Sequence, residues 1–306
     1  MPHIDCDKKF TNVALIDNIV RNHGKLCPKV RVQLLAPKFT TTRERSPKMY
    51  RHLSLSQASS TNCFTSVRLV ATDMDGTLTT RGKFTSALLQ ALEDLARADF
   101  KVLIVTGRSA GWVSGLVSYL SVVGAIAENG GLFYRSGSET PVALTPIPDF
   151  VAHRQQLTAA FEQLQTKFPH IQESFDNRFR LTDWTFDVQG LSTDELQTMS
   201  HLCRKMNWGF TYSNVQCHIK PLGQDKAVGL LQVLREDFPQ YTKEQVVTVG
   251  DSPNDESLFD ERCFPVSVGV ANVLEYANQL QHQPAYCTSA AEGEGFCELA
   301  RFLLQK

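Results

Sequence analysis

Four aspartates in two short clusters could do chemistry together in this chain. Asp73 and Asp75 flank one residue after an apolar run, and Asp251 and Asp255 follow another such run. Residues i and i+2 of an extended chain point to the same side, so the first pair should face one pocket. Carboxylates gathered this closely repel one another unless a cation neutralises them. Mg²⁺ suits such a site, and beside it one carboxylate can attack phosphorus while its neighbour protonates the leaving oxygen.

Two further segments could bind phosphate oxygens. Thr106 and Gly107 end a third apolar run where a helix should begin, and a hydroxyl with backbone N–H groups there suits an anion. Lys226, at the start of another predicted helix, adds the positive charge that phosphoryl transfer needs. Taken alone, each segment has an ordinary interpretation, such as a solvated turn or a surface lysine. Their order, with each cluster after its own strand, favours one shared site.

The elements that must position these residues follow an α/β pattern. Apolar runs at 67–72, 102–105, 122–127 and 245–249 read as strands, and helical stretches separate the first three. This alternation predicts a Rossmann-like parallel sheet with helices on both faces. Ligands of such sheets bind at the carboxyl ends of the strands, so the polar clusters should converge there.

The sequence predicts three regions. A core domain is expected over 67–134 and 216–306, and strand-rich, alternating material at 135–215 predicts an inserted α+β cap domain. Residues 1–66 hold 11 Lys and Arg against 4 Asp and Glu, without sustained apolar periodicity, and read as a disordered basic extension. A basic tether, a targeting arm or a misassigned start codon at Met49 would each explain that extension.

Composition excludes some partners. The chain has 306 residues, a formal net charge of −1 and 42% hydrophobic residues, so neither nucleic acid nor a membrane surface is expected to bind it. No apolar run reaches the roughly 18 residues of a spanning helix, and no signal peptide is recognised. The 8 cysteines are scattered without C-x-x-C spacing, which favours reduced thiols. We expect a cytoplasmic monomer or homodimer.

Four segments resemble the signature motifs of the haloacid dehalogenase superfamily. They are DMDGTL at 73–78, VTGR at 105–108, Lys226 and GDSPND at 250–255. The turn AENGG at 127–131, the segment IKPLGQDK at 219–226 and the position of the cap are similar to the Cof-type branch. That branch includes sucrose-phosphate and mannosyl-3-phosphoglycerate phosphatases. The resemblance covers roughly residues 67–304.

The resemblance implies roles for the four aspartates. Asp73 would be the nucleophile and a magnesium ligand. Asp75 would be the general acid and then the base, with its backbone carbonyl on the metal. Asp251 would be the second carboxylate ligand, and Asp255 would orient metal-bound water.

The resemblance also implies a phosphate site. Thr106, Gly107 and Lys226 would hold the phosphoryl group, and Asn254 would help to orient Lys226 and the metal-bound water. Ala227 departs from the glycine that the branch usually has after the lysine. The cap contains no substrate motif that matches the branch.

The sequence therefore predicts a Mg²⁺-dependent phosphatase that hydrolyses a small phosphorylated metabolite, a sugar phosphate, through an aspartyl-phosphate intermediate. A phosphosugar mutase similar to phosphomannomutase and a non-catalytic sensor of phosphometabolites are the alternatives. Phosphate release from sugar phosphates, with and without a chelator, separates the three.

Candidate residues for substrate choice lie in two alternating segments of the cap. Arg178, Arg180 and Trp184 differ by even steps and should share one face of a strand, and His218 with Lys220 forms a second such pair. Facing the cleft, they would offer cations for an anionic group and an indole for a sugar ring. The alternative is a solvated outer face of the sheet.

Overall fold

A computed structural model of the chain describes residues 53–60, 62–138 and 140–305. Within that part the helices are α1 Ser86–Arg97, α2 Ala110–Tyr119, α3 Phe150–Lys167, α4 Thr193–Lys205, α5 Lys226–Asp237 and α6 Glu292–Leu304. The strands are β1 Leu53–Ser54, β2 Leu69–Thr72, β3 Lys101–Val105, β4 Gly124–Ala127, β5 Leu132–Arg135, β6 Val142–Ala143, β7 Trp184–Asp187, β8 Trp208–Tyr212, β9 Gln216–Pro221, β10 Val246–Gly250, β11 Val266–Gly269 and β12 Tyr286–Cys287. None of these helices is both long and apolar enough to cross a membrane.

The larger sheet is the scaffold of the core. Its described strands run in the order β1-β12-β11-β10-β2-β3-β4-β5-β6, and only β5 and β6 pair antiparallel to their neighbours. Successive side chains of β2 point to opposite faces of the sheet. Val70 belongs to the buried layer that contains α1, α2 and α6, and Leu69 and Ala71 belong to the layer that contains α5. Apolar strands covered on both faces are the mark of a parallel α/β sheet, so the predicted fold class is confirmed.

A smaller α+β cap packs around its own core. Its sheet has the antiparallel order β7-β9-β8, and α3 and α4 cover it. Leu157, Phe161, Phe186, Met199 and Ile219 belong to this second buried cluster, which is separate from the two layers of the core.

Two predicted boundaries differ from the structure. The cap was expected to end at residue 215, but β9 is the central strand of the cap sheet and extends to Pro221. Arg178, Arg180 and Trp184 were expected on one strand, but a 3₁₀ helix occupies Phe175–Phe179 and β7 begins at Trp184. Alternation alone could not show where the 3₁₀ turn interrupts the strand, nor which sheet receives β9.

Residues 53–66 belong to the core and not to an extension. β1 pairs in parallel with β12, and Leu55, Ala58 and Phe64 are buried. The ring of Phe64 makes edge contacts with the rings of Tyr286 and Phe302, at centroid distances of 5.2 and 5.1 Å. Such long-range anchoring leaves no periodic signal in so short a segment. The rest of the predicted extension, residues 1–52, lies outside the described residues.

Removing the Phe64 ring should destabilise the core. We expect Phe64→Ala to lower the free energy of unfolding by about 3–5 kcal/mol, because the side chain is fully buried. Phe175→Ala is the matched control, since Phe175 is 80% exposed and should change stability by less than about 0.5 kcal/mol. Urea denaturation measures both, and equal stability of the two variants would show that residues 53–66 do not support the core.

Candidate active site

The polar clusters meet at the carboxyl end of the parallel sheet. Asp73 follows β2, Thr106 follows β3 and Asp251 follows β10, and β2 lies between the other two strands. The backbone N–H of Asp73 donates to the carbonyl of Val249 at 2.9 Å, which continues the pairing of β2 with β10 past the end of β2. The convergence expected from strand order is therefore present.

Three carboxylates and one ammonium are buried together at this edge. Oxygens of Asp73, Asp251 and Asp255 lie within 4.8 Å of one another. Nζ of Lys226 is 2.5 Å from Oδ1 of Asp73 and 2.6 Å from Oδ1 of Asp255. The other oxygen of Asp255 accepts from the backbone N–H groups of Asp251 and Ser252. Asp255 therefore holds the lysine and the loop after β10 in place.

The charge in this cluster is unbalanced. Burial, together with the charges of Asp255 and Asp75, raises the pKa of Asp73 to about 7 against the opposing effect of Lys226. Burial and the neighbouring carboxylates also raise the pKa of Asp251 well above its ordinary value. Hard oxygen donors with surplus negative charge form a set that fits a divalent cation such as Mg²⁺.

Asp251 is oriented by residues from two other loops. Thr77 Oγ1 donates to its Oδ1 at 3.1 Å, and Asn272 Nδ2 donates to its Oδ2 at 2.8 Å. Gly76 has φ +83°, and a Cβ there would lie 2.5 Å from Oδ2 of Asp251. Asn272 lies in the 3₁₀ helix Ala271–Tyr276 after β11, so a fourth strand end contributes to the site. Sequence reasoning missed Asn272, because no motif marks it.

Asp75 pairs with an arginine that the spacing of the aspartates did not reveal. Arg108 binds it with two hydrogen bonds, Nε to Oδ2 and Nη2 to Oδ1, both at 2.7 Å. The guanidinium of Arg108 also lies 4.6 Å from the ring centre of Trp112. Asp75 and Asp73 line the same small cavity, but the carboxylate of Asp75 stands outside the three-carboxylate cluster.

Groups that could bind phosphate surround Gly107. Thr106 Oγ1 accepts from the backbone N–H of Arg108 at 3.1 Å, which leaves its own proton to donate. Asn254 Nδ2 donates to Asn129 Oδ1 at 3.1 Å. The buried Nδ2 of Asn129 has no hydrogen-bond partner among the described residues, and it lies 3.2 Å from where a Cβ on Gly107 would stand. A buried donor without an acceptor beside this loop is consistent with an anion site.

The cap closes over this site. Ser213, Val215, Gln216 and His218 of the cap face Asp73, Asp75, Thr106, Gly107, Arg108 and Asn254 of the core. The cavity between them is about 10 Å³, which is the space of about one water molecule. A phosphoryl group needs more room than this closed cavity provides.

Two buried charges hold the cap against the core. The Glu128 carboxylate accepts from the N–H of Ala110 at 2.9 Å, and from the N–H and hydroxyl of Thr182 at 2.6 and 2.8 Å. Arg180 Nη1 donates to the carbonyl of Gly107 at 2.9 Å. Glu128 is fully buried, and burial raises its pKa. The AENGG turn that contains Glu128 was recognised in the sequence, but the contact of Glu128 with the cap was not predicted.

The predicted shared face of Arg178, Arg180 and Trp184 is wrong. Arg180 is buried and pairs with Asp176 and Asp183, at 2.9 Å each. Arg178 is exposed, with its guanidinium 4.1 Å from the ring centre of Phe175. The 3₁₀ turn before β7 separates Arg180 from Arg178 and Trp184, which both line a different cavity.

The second predicted pair lies closer to the site. His218 lines the small cavity, and its Nδ1 is 2.8 Å from Oδ2 of Asp183. Lys220, also buried, donates from Nζ to the carbonyl of Gln224. Of the five residues proposed for substrate choice, only His218 faces the cavity that contains Asp73.

Comparison with known proteins agrees with this geometry. Residues 70–153 match the model of the family described as haloacid dehalogenase-like hydrolase. Phosphoglycolate phosphatase 1 of Saccharolobus solfataricus is 29% identical over 244 residues, which cover 78% of this chain and 96% of the relative. A phosphoglycolate phosphatase of Staphylothermus marinus is 27% identical over 250 residues, 78% of this chain and 99% of the relative.

Solved structures share the fold. A haloacid dehalogenase-like hydrolase from Bacteroides thetaiotaomicron superposes with a TM-score of 0.58 at 18% identity, covering 77% of this chain and 98% of that one. The C-terminal domain of trehalose-6-phosphate phosphatase from C. albicans gives a TM-score of 0.63 at 14% identity, covering 83% and 99%.

Sheet order, buried aspartates and these matches point to the same class. They support a haloacid dehalogenase-like hydrolase. The relatives named above are phosphatases, which supports a phosphoric monoester hydrolase.

Removing the Arg180 side chain should damage the cap as a whole and not one substrate contact. Arg180→Ala leaves two buried carboxylates without their cation, so we expect a loss of about 3–5 kcal/mol in stability. Activity should fall in similar proportion for a sugar phosphate and for a small artificial phosphate ester. Arg178→Ala, at an exposed position, is the control. A selective rise in KM for the sugar phosphate, at unchanged stability, would contradict this assignment.

Proposed function

We propose that the enzyme is a Mg²⁺-dependent phosphatase that hydrolyses a small sugar phosphate through an aspartyl-phosphate on Asp73. The observation that carries the proposal is the buried cluster of Asp73, Asp251 and Asp255 around Lys226, next to the loop Thr106–Gly107. A carboxylate nucleophile, a fixed ammonium and phosphate-binding donors are the parts that this chemistry needs.

The reaction divides into two displacements. An oxygen of Asp73 attacks phosphorus, the bond to the leaving oxygen breaks, and Asp75 gives that oxygen a proton. Water then attacks the phosphorus of the aspartyl-phosphate while Asp75 takes up a proton, which restores Asp73 and releases inorganic phosphate. In this closed arrangement both oxygens of Asp75 accept from Arg108, which holds it as a carboxylate, so Asp75 would act as the acid once a proton has replaced one of these hydrogen bonds.

The phosphoryl group would be held from several sides. Lys226 lies against the attacking carboxylate and would neutralise the equatorial oxygens. The hydroxyl of Thr106, the backbone of Gly107 and the amides of Asn254 and Asn129 would donate hydrogen bonds to them. The unpartnered Nδ2 of Asn129 supports this assignment.

Asp73 and Asp251 are the proposed carboxylate ligands of Mg²⁺, together with the backbone carbonyl of Asp75. Both oxygens of Asp255 accept hydrogen bonds from protein donors, so its proposed role is to hold Lys226 and metal-bound water. A bound Mg²⁺ would offset the charge on the phosphoryl oxygens.

The cap supports a small, hydroxylated substrate. The closed cavity of about 10 Å³ would have to open for any substrate, and a cap that covers the site favours a small ester over a phosphoprotein or nucleic acid. The polar cap residues at the cavity, Ser213, Gln216 and His218, are neutral or weakly basic groups of the kind that bind sugar hydroxyls. Phosphoglycolate is the second candidate, because it is in the names of the matched relatives. We further propose a cytoplasmic location, in keeping with free thiols at Cys203, Cys217, Cys263, Cys287 and Cys297.

The nucleophile can be tested by one isosteric change. Asp73→Asn removes the attacking charge, so kcat should fall at least about a thousandfold, which corresponds to about 4 kcal/mol. Asp194→Asn, an exposed aspartate on α4, should retain wild-type activity. Initial rates of phosphate release measure both variants, and Asp73→Asn within about tenfold of wild type would exclude this nucleophile.

Metal dependence gives a second test. Excess chelator should abolish phosphate release, added Mg²⁺ should restore it, and Asp251→Ala should raise the Mg²⁺ concentration for half-maximal activity about tenfold or more. Ca²⁺ should inhibit, because its larger and looser coordination misplaces the nucleophile. Asp194→Ala is the control. Full activity in excess chelator would exclude the metal-dependent mechanism, while exchange of phosphate between sugar positions without release would favour a mutase.

A further inference from the structure

One nitrogen of His218 is fixed by the cap, and the other faces the phosphate-binding loop. Nδ1 is 2.8 Å from Oδ2 of Asp183, which is the one hydrogen bond of this ring among the described residues. On the other side of the ring, a Cβ on Gly107 would lie 3.1 Å from Cε1 and 3.2 Å from Nε2. Since His218 also lines the cavity that contains Asp73, its Nε2 is next to the position of the substrate.

The surrounding charges determine which proton the ring carries. Burial raises the pKa of Asp183, but Arg180 and His218 lower it further, so this carboxylate stays ionised and accepts from Nδ1–H. Burial, with the charges of Arg180 and Lys220, lowers the pKa of His218 against the opposing effect of Asp183. The ring is therefore neutral near pH 7 and presents the lone pair of Nε2 to the cavity.

We propose that Nε2 of His218 accepts a hydrogen bond from a hydroxyl of the substrate's leaving group and so selects hydroxylated phosphate esters over carboxylated ones. This inference rests on the proposed phosphatase function and adds the substrate class. Asp183 is then a positioning residue, because it fixes the tautomer without touching the substrate. A carboxylate has no proton to donate at neutral pH. A carboxylate oxygen in the place of the hydroxyl would therefore face the lone pair of Nε2 with a lone pair of its own, which is unfavourable.

The rest of the cap surface at the cavity agrees with this selection. Ser213, Val215, Gln216 and His218 carry no fixed positive charge. Arg180 is committed to Asp176 and Asp183, and its remaining contacts are with Gln216 and the backbone. At this cavity the described cap residues therefore offer hydrogen bonds to a leaving group and no cation, and Arg108 of the core, which also lines it, is paired with Asp75.

The wild-type enzyme provides the first measurement. Values of kcat/KM are compared for glycerol 3-phosphate and glucose 6-phosphate, for n-propyl phosphate, which has no hydroxyl, and for phosphoglycolate, which has a carboxylate. The better hydroxylated ester should exceed both of the others by about tenfold or more. A preference for phosphoglycolate, or no preference for hydroxyls, overturns the inference and leaves the phosphatase function intact. No phosphate release from any ester, with Mg²⁺ present, overturns the function itself.

His218→Asn isolates the cavity-facing nitrogen. An asparagine amide can still donate to Asp183 from near the position of Nδ1, but it has no atom at Nε2. We expect kcat/KM for the preferred hydroxylated ester to fall about tenfold or more, while the value for n-propyl phosphate stays within about twofold. His218→Gln, whose amide reaches toward the Nε2 position, should recover part of the loss.

The melting temperature separates this role from a structural one. His218→Asn should melt close to wild type, because the bond to Asp183 is retained. An equal loss of activity on all esters, or no loss on any, would place His218 outside substrate recognition. A loss confined to phosphoglycolate would show that the ring acts as an imidazolium that binds a carboxylate. If the variant does not fold, the wild-type preference among the four esters still decides the inference.

Discussion

The contact of Lys226 with two buried carboxylates is the interaction on which this site depends. One ammonium lies 2.5 Å from Asp73 and 2.6 Å from Asp255, with Asp251 nearby and all four residues almost completely buried. Charges taken out of water are costly unless they are paired, and one lysine cannot balance three aspartates. The fold holds this surplus in place from three positions, because Asp73 follows β2, Asp251 and Asp255 follow β10, and Lys226 begins α5. The surplus is also what makes the site suited to a cation and to phosphoryl transfer.

Buried charged groups also lie at the boundary between the cap and the core. Glu128 is buried and has no ion-pair partner among the described residues, but it accepts hydrogen bonds from both domains, and Arg180 pairs with Asp176 and Asp183. Opening would break the contacts of Glu128 with Thr182 and of Arg180 with the Gly107 carbonyl, and the exposure of these charged groups to water would offset part of the cost. Closure can therefore exclude water from the site and still be reversed when substrate enters. Asp183 takes part in both the balance of Arg180 and the orientation of His218.

The sequence was sufficient to predict the fold class and the convergence of the core motifs. Asp73, Thr106 and Asp251 each follow an apolar run, and the geometry of a parallel sheet places such residues at one edge. The spacing of Asp73 and Asp75 did not disclose that Arg108 holds Asp75 outside the carboxylate cluster. That pairing depends on the direction of the Arg108 side chain after β3, and the periodicity of the sequence does not predict this direction.

The cap was harder to predict from the sequence, for physical reasons. A short 3₁₀ helix precedes β7, so side chains two residues apart, such as Arg178 and Arg180, do not share a face there. Asn272 joins the site from a loop after β11 that carries no motif. The segment at 53–66 is held by the burial of Phe64, a long-range contact with no local signal. His218 was found because β9 does keep the alternation of an extended strand.

The direct test of the central claim is the thermal stability of the purified protein with and without Mg²⁺, at matched ionic strength. A cation that binds the folded cluster stabilises it by mass action, by about 2.7 kcal/mol at a hundred times its dissociation constant. We predict a rise of several degrees in melting temperature with millimolar Mg²⁺, and a much smaller rise in Asp251→Ala. An unchanged or lowered melting temperature of the wild type would contradict the view that the buried surplus of charge is a cation site.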